Sequence, residues 1–505
     1  MTRRFGPLVV GLLVASWLFA ACGATAPPST RPGTTAGASR PTATGSAAVA
    51  ESPPVATGSA GAPLDQVATG DAITEAGLRA RLDELAAVST AGNGFRALGS
   101  RGYDAAADGV EATLRGAGWQ VTDDPFTTPA FSDPGGSSLT VGGTVFGAGD
   151  VAPLLFAPAG DVVGPVVAIG WHPDGGAPNG RGCAPGDYAD VPAGAIVLVA
   201  PAPCRRREAI VAAQKAGVAG FIAGYPAAVA GAALRPTLLE PAGLEIPAAG
   251  ATRPVGDALA AAALTGGTAH LVTRATTKPT DTRSIIAELP GSDPGPVVML
   301  GAHLDSVVDG PGINDNGSGV AALLEIAKAL HGRQFRATIR LAFWSAEETG
   351  IHGSTHYVTS LSAAERGRIV AYLNADMLAS PNGYAGVYDG IGMPPGSTAV
   401  SGVLMATAAR AGVLPTPIGS GASDDIAFAQ AGVPIGGVAA GASEILGEEV
   451  AIAAGSTAGK PADACYHQPC DDAGNVRLDL GRALTRMLAD ATVQLAIDGR
   501  LPAEP

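Results

Sequence analysis

Positive charge is scarce in this sequence. The 31 lysines and arginines face 45 aspartates and glutamates, which leaves a net charge of −14 at pH 7. This balance argues against nucleic acid or an anionic membrane surface as a partner. Disorder of the whole chain is also excluded, because hydrophobic residues make up 47% of it, and 505 residues suffice for more than one domain.

Long hydrophobic runs are absent beyond the N-terminus. The apolar run Leu8–Ala21 follows Arg3 and Arg4 and is too short and wrongly flanked for a retained membrane span. Small residues precede Cys22, as in the bacterial lipobox, where the cysteine is lipidated and becomes the mature N-terminus. Residues 1–21 are therefore predicted to be a lipoprotein signal peptide. Phe19 departs from the aliphatic residue usual there, so a plain signal peptide is the alternative.

Charge and aromatic residues are almost lacking from residues 22–70. Alanine, threonine, serine, proline and glycine dominate this segment, which predicts a disordered linker. We expect the folded part to be exported and held at the outer face of the cell membrane. Its membrane contact would be through the lipid on Cys22 only.

Two kinds of pattern follow the linker. Residues 71–131 begin an α/β domain, with helical stripes at 78–86 and Ala105–Gly116. Residues 132–276 instead contain short β-type runs joined by glycine and proline around a single predicted helix, Arg207–Ala216. No cluster of His, Asp and Glu at ligand spacing occurs there. We interpret this part as a small β-rich inserted domain without catalytic or metal-binding residues.

The α/β pattern returns in residues 277–505. Buried, non-alternating strands are predicted at Ser284–Leu289, Val297–Gly301, Ala337–Trp344, Ile369–Asn374 and Ile435–Val438. Helices are predicted between them, at Gly319–Leu330, Ser354–Leu361, Thr398–Ala411 and Asp425–Ala431. The predicted fold is α/β, with a mainly parallel, doubly wound sheet that helices cover on both faces.

Polar side chains follow three of these strands. His303 ends one strand and Asp315 lies just before a helix, while Glu347 with Glu348 and then Asp376 follow two further strands. The carboxyl ends of parallel strands meet at one edge, so these side chains could converge in one crevice. Taken alone, His303 and Asp315 could equally form a buried hydrogen bond. Glu347 and Glu348 could equally lie in a solvated turn. Adjacent glutamates point in different directions, so one could bind a metal and the other act as a base.

A last candidate is the segment Cys465–Cys470. Its two cysteines are well spaced for a tight disulfide loop in an exported protein, which would hold Tyr466 and His467 rigidly. The alternative is an ordinary surface loop that carries an exposed histidine.

Five ordered motifs resemble those of the co-catalytic di-zinc aminopeptidases, of the bacterial leucyl aminopeptidase type in the zinc exopeptidase superfamily. They are His303-Leu304-Asp305-Ser306, Gly312-Ile313-Asn314-Asp315-Asn316-Gly317-Ser318-Gly319, Ala346-Glu347-Glu348, Leu373-Asn374-Ala375-Asp376-Met377 and Cys465-Tyr466-His467. Asp190–Val199, followed by Ala212–Gly220, resembles the protease-associated domain. With the N-terminal segment, the whole resembles an actinobacterial-type lipoprotein aminopeptidase.

The resemblance implies two zinc ions per chain. His303 and Asp376 would bind one ion, Glu348 and His467 the other, and Asp315 would bridge both. Two such ions, about 3.5–4 Å apart, activate water and polarise the scissile carbonyl.

Roles for three further residues come from the same resemblance. Asp305 would orient His303, Glu347 would be the general base, and Tyr466 would donate a hydrogen bond to the oxyanion. The Asp315–Asn316 peptide bond would be cis. The cysteines agree, since Cys22 would take lipid while Cys465 pairs with Cys470 and Cys183 with Cys204.

One position departs from the family pattern, and one pair of histidines could form a different metal site. Ala422 stands where several relatives have an arginine that is thought to hold the substrate's amino end. His352 and His356 form an i, i+4 pair, but no glutamate follows His352 as an H-E-x-x-H site requires. His172, His270 and His331 have no partners at useful spacing and are interpreted as surface residues.

The predicted function is therefore that of a secreted, lipid-anchored di-zinc aminopeptidase. It would hydrolyse the N-terminal bond of peptides and favour apolar N-terminal residues. Alternatives are a related zinc carboxypeptidase, a glutaminyl cyclase-like enzyme with one zinc, or a non-catalytic binding protein on this fold.

Overall fold

A computed structural model describes residues 66–172, 180–225 and 233–503 of the chain. The helices are α1 (Gln66–Asp71), α2 (Glu75–Ala91), α3 (Arg101–Gly116), α4 (Arg206–Lys215), α5 (Arg253–Leu264), α6 (Gly317–Leu330), α7 (His352–Ser360), α8 (Ala363–Arg366), α9 (Ser397–Ala411), α10 (Asp425–Gln430), α11 (Glu448–Ala454) and α12 (Leu478–Asp498). The first ten strands are β1 (Gln120–Ser132), β2 (Ser138–Val141), β3 (Thr144–Phe146), β4 (Val151–Pro153), β5 (Gly160–Ile169), β6 (Ile196–Val199), β7 (Gly220–Gly224), β8 (Ala248–Ala251), β9 (Thr268–Thr273) and β10 (Thr276–Leu289). The remaining strands are β11 (Val297–His303), β12 (Thr338–Trp344), β13 (Ile369–Ala375), β14 (Ala385–Tyr388), β15 (Pro415–Ile418) and β16 (Ile435–Ala439).

The main sheet has the strand order β1-β10-β12-β11-β13-β16-β14-β15. Its four central strands, β12, β11, β13 and β16, are parallel, as the buried runs of the sequence predict. The flanking strands β1, β10 and β14 join antiparallel. The α/β fold is thus confirmed, and outside the four central strands the edge strand β15 also pairs parallel, with β14.

Helices cover both faces of this sheet, as predicted. On one face Val298 and Leu300 of β11 pack in a core that includes residues of α2, α3, α6, α9 and α12. On the other face Met299 packs in a core with residues of α7 and α10. Because successive strand residues point to opposite faces, a strand buried on both sides needs apolar residues without alternation.

Close packing at the end of β11 explains its glycine. A Cβ atom on Gly301 would lie 2.1 Å from the Tyr372 hydroxyl and 2.4 Å from Nε1 of Trp344. Trp344 Nε1 donates to the Tyr372 hydroxyl at 2.9 Å beneath this glycine. The absence of a side chain at position 301 therefore lets three neighbouring strands pack tightly just before His303.

The inserted part forms a second sheet of strand order β3-β2-β9-β5-β6-β7-β8-β4. Strands β5 to β8 are parallel, and α5 accompanies α4, where the sequence predicted a single helix. The chain leaves the main sheet through β1 and returns through β10, and Ser132 pairs with Thr276 at the junction. Cys183 is bonded to Cys204 in this part.

The long helix α12 was not predicted from the sequence. It is buried along nearly its whole length, and alanine, threonine and glycine stand among its leucines. A helix buried on several sides lacks the polar stripe on which a periodicity argument depends.

Cys22 and the rest of residues 1–65 lie outside the described residues. Helix α1 covers the last residues of the predicted linker. Among the described helices, none combines the length and the apolar character needed to cross a bilayer.

Candidate metal centre

The candidate side chains meet at the carboxyl edge of the parallel strands. His303 is the last residue of β11, Glu347 and Glu348 follow β12, and Asp376 follows β13. Asp315 lies in the loop between β11 and α6, next to Asn316, whose side chain caps that helix by accepting from Gly319 N–H at 2.9 Å. The order of three neighbouring strands, together with the loop after β11, thus brings these side chains to one place.

The fifth candidate ligand comes from the C-terminal loop. His467 lies inside the loop closed by the Cys465–Cys470 disulfide, as the cysteine spacing predicts. Its ring stacks on Tyr466 with the centroids 3.8 Å apart. The disulfide loop therefore presents both side chains to the sheet edge.

The ligand atoms form two groups of three that share Asp315. Nε2 of His303 lies 3.2 Å from Oδ1 of Asp315 and 3.4 Å from Oδ1 of Asp376. Nε2 of His467 lies 3.1 Å from Oδ2 of Asp315 and 3.1 Å from Oε2 of Glu348. Each oxygen of Asp315 thus faces a different group.

This donor set suits zinc. One imidazole nitrogen with carboxylate oxygens is typical of catalytic zinc sites. Oδ1 of Asp376 and Oε1 of Glu348 are buried and accept no hydrogen bond from the described residues. Buried carboxylate oxygens without donors are costly unless a cation satisfies them, so these residues fit a metal pair.

The electrostatics of the cluster also favour cations. Burial opposes protonation of His303, but Asp376 and Glu347 outweigh it and raise the pKa of His303 well above its usual value. The pKa of His467 is likewise raised, since Glu348 and Asp315 outweigh burial. Burial disfavours the charged form of Asp315, yet its hydrogen bonds with the two imidazoles hold its pKa below the usual range.

Glu347 stands apart from both groups of ligand atoms. Its Oε2 lies 3.9 Å from Nε2 of His303, and burial raises the pKa of Glu347 well above its usual value. A carboxyl group with a raised pKa beside a ligand cluster can accept a proton and return it. Glu347 and Glu348 therefore point to different parts of the crevice, as expected for neighbouring residues.

Asp305 makes two kinds of contact. Its carbonyl oxygen lies 3.1 Å from Nδ1 of His303, which leaves Nε2 free to face the site. Its carboxylate is 3.9 Å from that nitrogen and instead accepts the backbone N–H groups of Glu347 at 3.1 Å and Glu348 at 3.2 Å. The backbone of Asp305 contacts the histidine, and its side chain fixes the two glutamates.

Sequence reasoning missed two residues that hold the loop from His303 to Asp315. The buried Arg96 donates to the carbonyl oxygens of Leu304 at 3.2 Å, Gly312 at 3.0 Å and Pro311. Asp471 accepts the backbone N–H of Asn314 at 2.8 Å and of Asp315 at 3.0 Å. No motif marks Arg96, whereas the position of Asp471 directly after the disulfide loop could have drawn attention to it.

A cavity of about 230 Å³ opens beside the ligands. Its further walls are Met377, Tyr384, Tyr388, Ile418 and Ala439, with Glu444 and Ala422. Tyr466 also lines the cavity, and burial together with nearby carboxylates raises its pKa well above the usual value. Its phenol is therefore neutral and can donate a hydrogen bond into the cavity.

The other histidines of the sequence are placed elsewhere. His356 stacks on Phe126 at 4.9 Å, and its Nε2 lies 3.7 Å from Asp124, while His352 packs near Phe156. Neither belongs to a group of potential ligands among the residues that the structure describes. The Asp315–Asn316 peptide bond is cis.

Known families match both parts of the chain. Residues 284–492 match the model of peptidase family M28, and residues 162–259 match that of the PA domain. An aminopeptidase of Pseudomonas aeruginosa is 35% identical over 441 residues, which cover 83% of this chain and 81% of that protein. The probable lipoprotein aminopeptidase LpqL of Mycobacterium tuberculosis is 36% identical over 420 residues, which cover 80% and 81%.

Solved structures share the fold. The aminopeptidase from Aneurinibacillus sp. strain AM-1 superposes with a TM-score of 0.70 at 23% identity, over 87% of this chain and 98% of that one. BSAP, a zinc aminopeptidase from Bacillus subtilis, superposes with a TM-score of 0.65 at 21% identity, over 86% and 97%. The similarity thus extends over both the α/β part and the inserted part.

Asp471 provides a test of the site. We expect Asp471→Asn to weaken Zn²⁺ binding about 10- to 100-fold, because an amide cannot accept both backbone N–H groups that hold Asp315. Affinity is measured by competition with a chelator. The control is Asp472→Asn, whose exposed side chain accepts only Gly474 N–H. Equal affinity of Asp471→Asn and the parent would show that Asp471 does not hold the site.

Proposed function

The chain belongs to peptidase family M28 and is a zinc-dependent aminopeptidase, and we propose that it uses a pair of zinc ions to remove N-terminal residues from peptides. In this proposal His303 and Asp376 would hold one ion, Glu348 and His467 would hold the other, and Asp315 would serve both. The observation that carries the proposal is the pair of three-residue groups that share the two oxygens of Asp315.

The chain's own residues would divide the chemistry among them. When bound, zinc supplies Lewis-acid polarisation of the scissile carbonyl and lowers the pKa of a nearby water. Glu347 takes a proton from the attacking water and delivers it to the leaving amine, a role that its raised pKa supports. The neutral Tyr466 donates a hydrogen bond to the oxygen that gains negative charge.

The walls of the cavity support a preference for apolar N-terminal residues. Met377, Tyr384, Tyr388, Ile418 and Ala439 offer mostly apolar surface beside the ligands. No lysine or arginine is among the described residues that line this cavity. A carboxypeptidase would need such a group to bind the free carboxylate of its substrate, so the cavity favours an aminopeptidase over a carboxypeptidase.

Blocked and unblocked substrates test the proposed activity. We expect the protein to hydrolyse leucine anilide faster than lysine anilide, because the cavity walls are mainly apolar, and to leave N-acetylleucine anilide intact. Release of the aniline is followed together with the zinc content of the protein. Equal cleavage of the blocked and free leucine substrates would contradict an aminopeptidase, and one zinc per chain would contradict the metal pair.

The role of Glu347 is tested by a pair of variants. Glu347→Ala should retain zinc and lose about 100-fold or more in kcat, because its carboxylate belongs to neither group of ligand atoms but would carry the proton. Glu348→Ala is the matched control and should bind less zinc than the parent, because Glu348 belongs to one of the two groups of ligand atoms. Zinc content and turnover are measured on the same samples. If Glu347→Ala keeps the parent's turnover, another residue is the base.

The same proposal includes the place of the protein in the cell. The lipobox-like sequence before Cys22 supports export and lipid anchoring, and the relative from Mycobacterium tuberculosis is named a probable lipoprotein aminopeptidase. Residues 22–70 would be the linker to the membrane. Residues 132–276 would be the inserted domain, for which the pairing of Ser132 with Thr276 provides support.

Lipidation of Cys22 is tested by detergent partitioning. Expressed in a bacterium that lipidates exported proteins, the parent should enter the detergent-rich phase, because its acyl chains are apolar. Cys22→Ser should enter the aqueous phase, while the control Ser29→Ala should behave as the parent does. A Cys22→Ser protein that still enters the detergent phase would contradict a lipid on Cys22.

A further inference from the structure

A second cavity lies between the inserted domain and the peptidase domain. It has a volume of about 570 Å³. Its walls on the inserted side include the start of α4 and Tyr225, and those on the peptidase side include Gly350, Ile351 and Ala422. The two sides are joined nearby, since the hydroxyl of Thr237 donates to the carbonyl oxygen of Thr349 at 2.8 Å. The cavity therefore forms only when the inserted domain is packed against the peptidase domain.

Three consecutive arginines, Arg205, Arg206 and Arg207, line this cavity, and no carboxylate is among its described lining residues. Arg207 is engaged within its own domain, where it donates to the carbonyl oxygens of Glu240, at 2.9 Å, and Ala242, and pairs with the Glu240 carboxylate at 3.2 Å. Arg206 lies against Tyr225, with its guanidinium carbon 5.2 Å from the ring centroid and one hydrogen bond of 3.4 Å to the hydroxyl. Such a stacked guanidinium keeps most of its donors available.

The lining of this cavity is positively charged, whereas the protein as a whole is negatively charged. Among the described residues, neither Arg205 nor Arg206 forms an ion pair with a carboxylate, although the chain carries a net charge of −14. Arginine presents a planar fork of donors that matches a carboxylate. Unpaired guanidinium groups in an acidic protein therefore mark a place where an anion is selectively attracted.

The cavity is adjacent to the metal centre. Ala422 lines both this cavity and the one beside the zinc ligands, and Gly350 and Ile351 follow Glu347 and Glu348 in the chain after Thr349. The two cavities therefore share a wall at Ala422. A peptide held at the metal centre has further residues beyond its first bond, and a neighbouring cavity is where a subsite for them would lie.

We propose that the arginine-lined cavity is a subsite for a carboxylate of the peptide substrate on the far side of the cleaved bond. The inference rests on the proposed aminopeptidase function and adds a preference to it. The carboxylate belongs either to an acidic side chain or to the free C-terminus of a short peptide. Arg206, held flat on Tyr225, is its principal partner, and Arg205 adds to the local positive charge.

Matched peptides test this subsite. The substrates are pentapeptide amides with N-terminal leucine followed by alanines, in which each alanine in turn is replaced by glutamate or glutamine. A further pair differs only in a C-terminal carboxylate or amide. At one position, or at the free C-terminus, the parent should prefer the carboxylate by about fivefold in kcat/KM, the size of one partly exposed ion pair. This preference should decline as salt is added.

Variants assign the preference to the cavity. Arg206→Gln should bring the glutamate-to-glutamine ratio to about one, and Arg206→Lys should retain part of the preference because it keeps the charge. The control is Arg253→Gln, a residue of the inserted domain that pairs with Asp257 outside the cavity, and it should keep the parent's ratio.

The outcomes separate this inference from the proposed function. If the parent hydrolyses leucine anilide but favours no carboxylate at any position, the subsite is wrong and the aminopeptidase stands. A preference that survives in Arg206→Gln, or that Arg253→Gln also abolishes, overturns the subsite as well. Absence of leucine anilide hydrolysis by the parent instead overturns the proposed function.

Discussion

The concentration of buried negative charge at one edge of the parallel sheet is the constraint on which the rest of the structure depends. Asp315, Glu348 and Asp376 lie within contact of two imidazoles, and Glu347 stands close by. Carboxylates buried this closely repel one another, and the two histidines do not satisfy all their oxygens. Divalent cations would remove both difficulties at once, which is why the proposed metal pair accounts for the cluster better than hydrogen bonds alone.

Residues far apart in the chain keep that cluster together. Arg96, from the segment before the insertion, donates to three carbonyl oxygens of the loop between His303 and Asp315. Asp471, near the C-terminus, holds the backbone at Asp315 from the other side, and Asp305 fixes the two glutamates. The site therefore requires the fold on both sides of the inserted domain to be in place.

That the candidate ligands meet could be predicted from the sequence, because His303, Glu348 and Asp376 end or follow buried strands and His467 lies between two cysteines. Residues that act on the backbone carry no such signal, which is why Arg96 was missed and why the contact of the Asp305 carboxylate with the glutamates was not foreseen. Helix α12 was missed because it is buried along nearly its whole length. Helix α5 was missed because its run of alanines gives no alternation of apolar and polar residues at helical spacing. The antiparallel flanks of the sheet depend on pairing between distant segments, which local patterns do not encode.

The central claim, that one aspartate joins two zinc ions, is tested most directly by anomalous X-ray diffraction from crystals of the zinc-loaded protein, recorded on both sides of the zinc absorption edge. The account predicts two anomalous peaks, one beside His303 and Asp376 and one beside Glu348 and His467, with Asp315 in contact with both. A single peak, or two peaks without contact to Asp315, would contradict it.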